Sequence, residues 1–390
     1  MAHTNAGSIV VCGHLCLDFI PGFPSERAGQ DWFRPGRLSV VNAPSISTGG
    51  AVSNVGLALH RLGLPVRLVA KVGNDPLGSL IVEKLRGGGA QLARDLITIE
   101  GEVTSYTVVL NPPGIDRIFF HCPGANDTFT DSDVADAVLS GATLFHFGYP
   151  PLMRQIWSDG GERLERLLVR ARGHGAMTSL DMSLPDPSSP SGMIDWKAFL
   201  SRVLPKVDIF VPSIEELLFM MDRQGFKRLS EPGGGESIIR QIRFDDLARL
   251  AEPALSRGVR AILIKLGSRG AYLRTGPEGL PGMSGWADRE LYSPVFKVPR
   301  VVGTAGAGDS TIAGFLASIF RGLDPEAALA MAVAVGGCCV EEPDATSGIR
   351  TWEETRARVQ EGWARAAVTV DEPGWNETPS AIWRGPKDGR

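Results

Sequence analysis

The stretch VVGTAGAGDSTIAGFLASIFRGLDPEAAL holds the residues best placed to do chemistry. Gly303, Gly306 and Gly308 precede a helix expected over residues 309–321, and Gly322 and Pro325 supply its stop. A glycine-rich turn feeding a helix leaves backbone N–H groups unpaired at the positive end of the helix dipole, which makes an anion site. Phosphate is the natural guest, because side chains in the turn would hold it away from the backbone. Asp309 would repel that phosphate unless it handles a proton or caps the helix, and on local grounds both readings stand. No G-x-x-x-x-G-K-[ST] occurs, which argues against a P-loop enzyme, and no H-E-x-x-H competes for a metal.

Such a turn needs a framework, and the chain supplies an alternating one. SIVVCGH, VSNVGLALHRLG, VRLVAKVG and LGSLIVEKLRGGGA read in turn as strand, helix, strand and helix. ATLFHFG, AMTSLDM, VDIFVPS and AILIKLG read as later strands. The rhythm predicts an α/β fold with a mostly parallel sheet covered by helices on both faces, and ligands outside the carboxyl ends of its strands. Two segments alternate instead as half-buried antiparallel strands, residues 37–46 and 103–122, the second with a turn at NPPGID. They predict a small accessory sheet. Residues 223–242, with EPGGGES, read as a surface insertion, and residues 367–390 as a tail that is partly disordered or drapes over a neighbour.

Composition excludes several classes. With 390 residues, 43% hydrophobic and 22% charged, the chain can bury a large core, and a net charge of -4 gives no bulk attraction to nucleic acid or anionic membrane. Cys12, Cys16, Cys122, Cys338 and Cys339 lack disulfide or zinc spacing and read as reduced residues of a cytoplasmic protein. The N-terminus lacks a basic, apolar signal pattern, and the apolar run 327–340 is shorter than the roughly 20 residues of a membrane span.

GTAGAGD followed by a small-residue helix resembles the DTxGAGD motif of the ribokinase/PfkB carbohydrate kinases. STGGAVSNVGLALHRLG, with Gly49, Gly50 and Asn54, resembles the family's N-terminal GGxxxN segment, and the likeness runs in order over about residues 8–355. Asp18 in GHLCLDF stands where the family has a substrate-binding aspartate, PGANDTF resembles the exit from its lid, VDIFVPSIEELL its NxxE region and IKLGSRGAYL its nucleotide-contacting strand and turn. The resemblance implies a ribokinase-like three-layer α/β/α domain over residues 1–366, with lid strands within about 15–48 and 103–123.

It also implies roles. Asp309 is expected as the general base for a sugar hydroxyl, and the Gly306, Ala307 and Gly308 backbone as the hole for the transferred phosphoryl group. Asp18, Gly49, Gly50 and Asn54 are expected at the sugar. Ser213, Lys265, Gly267, Gly270, Ala345 and Ser347 are expected at ATP, and Glu216 at Mg²⁺ through water. Each residue type also has a plainer use: Asn54 a solvated helix start, Asp18 a turn, Glu216 a dipole partner, Lys265 a buried ammonium that a neighbouring carboxylate would satisfy. Two departures stand out: Ser213 replaces the Asn of NxxE, and Gly303 replaces the first Asp of DTxGAGD. That Asp helps hold a monovalent cation in members activated by one, so its loss argues against K⁺ dependence. A nucleoside kinase of the same fold, or a sugar-binding regulator that lost turnover, are the competing readings. An accessory-sheet face with Val40, Val41, Val108 and Leu110 would need cover, which favours a homodimer.

Overall fold

The computed structural model describes residues 7–25, 29–114, 118–231, 234–368 and 370–389. Residues 1–6, Ile115 and Asp116 of the expected turn, Pro232 and Gly233 of the expected insertion, and Thr369 and Arg390 of the tail lie outside it.

In chain order the strands are β1 (Ser8–Gly13), β2 (Cys16–Gly22), β3 (Asn42–Gly49), β4 (Val66–Val69), β5 (Lys71–Gly73), β6 (Ile97–Ile99), β7 (Tyr106–Leu110), β8 (Ile118–Cys122), β9 (Ala142–Gly148), β10 (Met177–Leu180), β11 (Ile209–Phe210), β12 (Ala261–Lys265), β13 (Ala271–Thr275), β14 (Glu290–Ser293), β15 (Asn376–Glu377) and β16 (Trp383–Arg384). Ten form one sheet in the order β15-β16-β14-β13-β12-β11-β10-β9-β1-β4. The six from β12 to β4 are parallel, and the remaining edge is antiparallel. Alternation along each strand feeds two cores. Val10 and Cys12 of β1 join one apolar cluster, with Phe145, Phe147 and Ile264, while Ile9 and Val11 join the other, with Leu144 and Leu263. Helices cover both faces, giving the expected three layers.

The helix Ala307–Phe320 lies on the second face, with Ile312, Phe315 and Leu316 fully buried. Its small residues let the helix Pro325–Cys339 approach closely: a Cβ at Gly314 would stand 2.9 Å from the Met331 carbonyl oxygen.

The lid is a separate sheet in the order β3-β2-β7-β8. Its strands lie within residues 16–49 and 106–122, and their bounds correct the sequence reading. Residues 37–41 are not strand, and Leu38 and Val40 stand exposed; the strand begins at Asn42. The Asp18 segment, whose plainer reading was a turn, is itself the strand β2. The hinge between sheets is pinned by Asn126 in PGANDTF, whose Nδ2 donates to the Leu15 carbonyl at 2.9 Å while its Oδ1 accepts from Leu15 N at 3.2 Å. A buried amide that satisfies both backbone groups of one residue fixes where the chain leaves the main sheet.

Two further expectations change. The segment 223–242 contains the helices Arg223–Ser230 and Gly234–Gln241, and Ile238 and Ile239 are buried in the core. Residues 367–390, read as a partly disordered tail, instead supply β15 and β16 to the main sheet, bury Ile382 and set Trp375 against Phe244 at 4.6 Å between ring centroids. Arg289, 1% exposed, donates to Asp388 at 3.0 Å and to Glu326 at 3.0 Å, tying the tail's end into the fold. Among the described residues no helix is long and apolar enough to cross a membrane, and all five cysteines are free.

Candidate active site

The glycine turn enters the helix Ala307–Phe320 through Gly306, the N-cap, in left-handed backbone at φ 72. A Cβ there would also fall 2.4 Å from the Ala345 Cβ, so glycine is required twice over. Because Gly306 occupies the cap, Asp309 is not the N-cap that the plainer reading allowed. Its carboxylate turns away from the backbone to partners far along the chain. Asn54 Nδ2 donates to Oδ2 at 2.9 Å, and the Tyr149 hydroxyl donates to Oδ1 at 2.7 Å. Asp309 is 5% exposed. Burial pushes its carboxyl above the usual range, opposed by Lys265 and the two hydrogen bonds.

Lys265 ends β12 beside this turn, its side chain in contact with the position a Cβ at Gly308 would take. Its ammonium donates to Asp181 Oδ1 at 2.8 Å. Burial alone would push Lys265 down, but Asp181, Glu216 and Asp309 overcome it and hold the ammonium charged. Asp181, fully buried just after β10, is pushed up by burial against the pull of Lys265, and its Oδ2 has no partner. Glu216 lies in the first turn of the helix Ile214–Met221, where its Oε2 accepts from Ser213 N at 2.6 Å and its own N donates to Ser213 Oγ at 3.2 Å. Ser213 thus does the work of a capping box, a use its S-x-x-E spacing signals. Burial raises Glu216 while Lys265 opposes it.

The lid borders an open cleft of about 1010 Å³ at the carboxyl ends of β1 and β9. Asp18 reaches it from β2. A Cβ at Gly49 would stand 2.2 Å from Asp18 Oδ2, and one at Gly50, at φ 85, 2.6 Å from His14 Nδ1, so both glycines clear space for polar side chains. Cys16 Sγ donates to Asp18 Oδ1 at 3.4 Å, and burial raises the Asp18 carboxyl. Opposite, Thr107 and His121 are hydrogen bonded at 3.0 Å, and His121 meets His14 at 3.3 Å across the gap between lid and body. Burial keeps both imidazoles below their usual pKa, so both are neutral at neutral pH. Asn54, buried in the helix Ala51–Arg61, has an unpartnered Oδ1.

The structure therefore gathers Asn54, Lys265, Glu216, Ser213 and residues 306–309 at one helix entrance, with Asp18, Gly49 and Gly50 at the adjoining cavity. Gly267 and Gly270 have structural work in the turn after β12: both have positive φ, and a Cβ at Gly270 would stand 2.0 Å from the Ser293 carbonyl oxygen. Ala345 packs on Gly306. Ser347 is spent locally, its hydroxyl and backbone N both donating to Asp344. Gly303 also has a reason: a Cβ would lie 2.8 Å from the Pro343 carbonyl oxygen, leaving no room for the family's Asp.

Tyr149, Asp181, His14 and Thr107 were not singled out from the sequence. The signal for the first two was present, since each directly follows a strand, β9 and β10, at the end where open α/β sheets place ligands. Among the described residues no group of three or more His, Cys, Asp or Glu is gathered to hold a metal.

A model of the pfkB family of carbohydrate kinases matches residues 7–352. Among curated proteins, the chain is 26% identical over 327 residues to a 2-dehydro-3-deoxygluconokinase of Bacillus subtilis, covering 82% of this chain and 88% of the relative. It is 28% identical over 317 residues to a fructokinase of Rhizobium leguminosarum, covering 80% and 79%. Among solved structures, Arabidopsis thaliana ribokinase complexed with ribose and ATP superposes with a TM-score of 0.68 at 19% identity, covering 90% of this chain and 98% of that one.

Proposed function

The chain belongs to the pfkB family of carbohydrate kinases, and from that premise we propose that it transfers the γ-phosphoryl group of ATP to a hydroxyl of a sugar or sugar acid, with Asp309 as the base. The observation that carries this reading is the placement of the Asp309 carboxylate. It sits at the anion-binding entrance of a helix, held by Asn54 and Tyr149 from two other elements, instead of serving as a cap.

Phosphoryl transfer passes through a loose transition state, so catalysis is mainly positioning and charge stabilisation. The backbone N–H groups of Gly306 and Gly308, and that of Ala307 once released from the Thr304 carbonyl it meets at 3.3 Å, stabilise charge on the transferred oxygens, and Lys265, close behind Gly308, adds a positive charge. Asp309 accepts the proton of the sugar hydroxyl late in the transfer. Asp18 and the unpartnered Oδ1 of Asn54 hold other hydroxyls, with Gly49 and Gly50 leaving the space. Gly267, Gly270 and Ala345 shape the nucleotide side through backbone, and Ser213 and Ser347 brace their own loops there.

Mg²⁺ fits these residues, because it uses one or two carboxylates and otherwise takes waters and phosphate oxygens. Glu216, through water, and the open Oδ2 of Asp181 are the groups that would hold it. When bound, the ion neutralises phosphate charge. The lack of room for a side chain at Gly303, where a Cβ would lie 2.8 Å from the Pro343 carbonyl oxygen, supports activity without K⁺. Exposed Phe119 and Phe120 on the lid support pairing of lids in a homodimer, which sedimentation would measure.

The test is ADP release with Mg·ATP over a panel of hexoses, pentoses, sugar acids and nucleosides, beside Asp309→Asn. Turnover on a sugar that falls by roughly 10²–10⁴ in the variant is expected for loss of a general base. Binding of a sugar without turnover in the wild type would instead favour a regulator, and turnover on nucleosides alone a nucleoside kinase.

A further inference from the structure

Between the cavity and the base stands Tyr149, so far given only as a partner of the Asp309 carboxylate. Tyr149 lines the cavity, and its hydroxyl reaches past it to Asp309 Oδ1 at 2.7 Å. Its backbone is left-handed, at φ 63 and ψ 47, which is uncommon for a residue with a side chain. Pro150 follows, and a residue before proline prefers extended backbone. The loop after β9 is thus held in a locally unfavourable turn that delivers one phenol to one carboxylate. A phenylalanine would fill the same space; only the hydroxyl explains the aim.

We infer that Tyr149 is a positioning residue for the transfer step: its hydroxyl fixes one oxygen of Asp309 so that the other, beside Asn54, is presented to the acceptor hydroxyl of the sugar. The inference rests on Asp309 being the base. A donor to the ionised carboxylate also keeps it ionised. The other groups facing Asp309 are Lys265 from the end of β12, Asp181 after β10, Glu216 from the helix Ile214–Met221, Asp18 from the lid and Cys339 from the helix Pro325–Cys339. Among these only Lys265 favours the ionised form, and with the Tyr149 hydroxyl gone the Asn54 amide is the one hydrogen-bond donor left to it, on the other oxygen.

The experiment compares wild type, Tyr149→Phe and Asp309→Asn on the sugar found by the panel, across pH. Tyr149→Phe is expected to lower kcat about 10-fold, to leave KM for the sugar within about 2-fold, and to move the acid limb of kcat/KM up by roughly half to one pH unit, as a charge-assisted hydrogen bond to the base predicts. An unchanged limb and kcat overturn the inference, as does a faster variant, which would make Tyr149 an obstacle. If Asp309→Asn keeps its turnover, the base assignment has failed, whatever Tyr149→Phe does. A readout independent of activity uses tyrosine labelled with ¹³C at the ring carbon bearing oxygen. The chain has four tyrosines, and the resonance missing from Tyr149→Phe should shift in Asp309→Asn. No shift overturns the contact on which the inference stands.

Discussion

Replacing Lys265 by methionine tests the electrostatics of the site without touching its backbone. Lys265 is 11% exposed at its side chain, and its partner Asp181, 2.8 Å away, is fully buried. Removing one member of a buried pair leaves the other charged and unpaired, at a cost of about 3–5 kcal/mol. With an unfolding entropy of ~2 cal/mol/K per residue, that cost lowers Tm by roughly 4–6 °C for a chain of this length.

The cost must also depend on pH. Burial already holds Asp181, Glu216 and Asp309 above the usual carboxyl range, and in each case Lys265 opposes the rise. Without it all three rise further. A carboxyl whose folded pKa exceeds its unfolded one binds more protons in the native state, so stability falls as pH rises between the two values. Lys265→Met should therefore lose more Tm at pH 8 than at pH 5, measured by calorimetry against wild type. An equal loss at both values, or a larger one at pH 5, would refute the idea that Lys265 compensates these carboxylates. Turnover should drop with the charge beside the phosphoryl group at every pH.

Gly308→Ala should fold with Tm almost unchanged, since its Cβ would meet Lys265 Cδ at 3.6 Å, an ordinary contact. Gly308→Val should lower kcat/KM for ATP by roughly 10²-fold by blocking approach to the backbone donors, and steady-state kinetics on both variants checks the pair. Gly303→Asp should destabilise by about 1–3 kcal/mol, because its Cβ would press on the Pro343 and Glu342 carbonyls. It should not create activation by K⁺, which a salt-matched assay in Na⁺ and K⁺ reads directly. Asp388→Ala removes one of the two carboxylates bonded to the buried Arg289, and a Tm loss of roughly 2–4 °C is expected by thermal melting, Glu326 limiting the damage.

What the amino-acid order carried by itself was periodic or tightly spaced. The alternation of strands and helices, the glycine entry at residues 303–308 and the GG-x-x-x-N segment lie within short windows, where local backbone preference and burial pattern act together. Those features were enough to place the sheet, its helices, the lid windows and Asp309 at a helix start.

Other things had no local signal. β15 and β16 are two residues each, too short to show a period, and they are held because β14 offers an edge and the buried Arg289 takes Asp388 as a second carboxylate beside Glu326. The lid strand starting at Asn42 and not at residue 37 is set by pairing with β2, since exposed alternation alone does not make a strand. At the site, Asp309 finds Tyr149 at a sequence distance of 160 residues and Asn54 at 255, and Lys265 finds Asp181 at 84. Sequence named a carboxylate and an ammonium that each needed a partner, because buried charge is costly alone. Which partner met the need was decided only when the parallel sheet brought the ends of β9, β10 and β12 to one edge, with β11 between the last two.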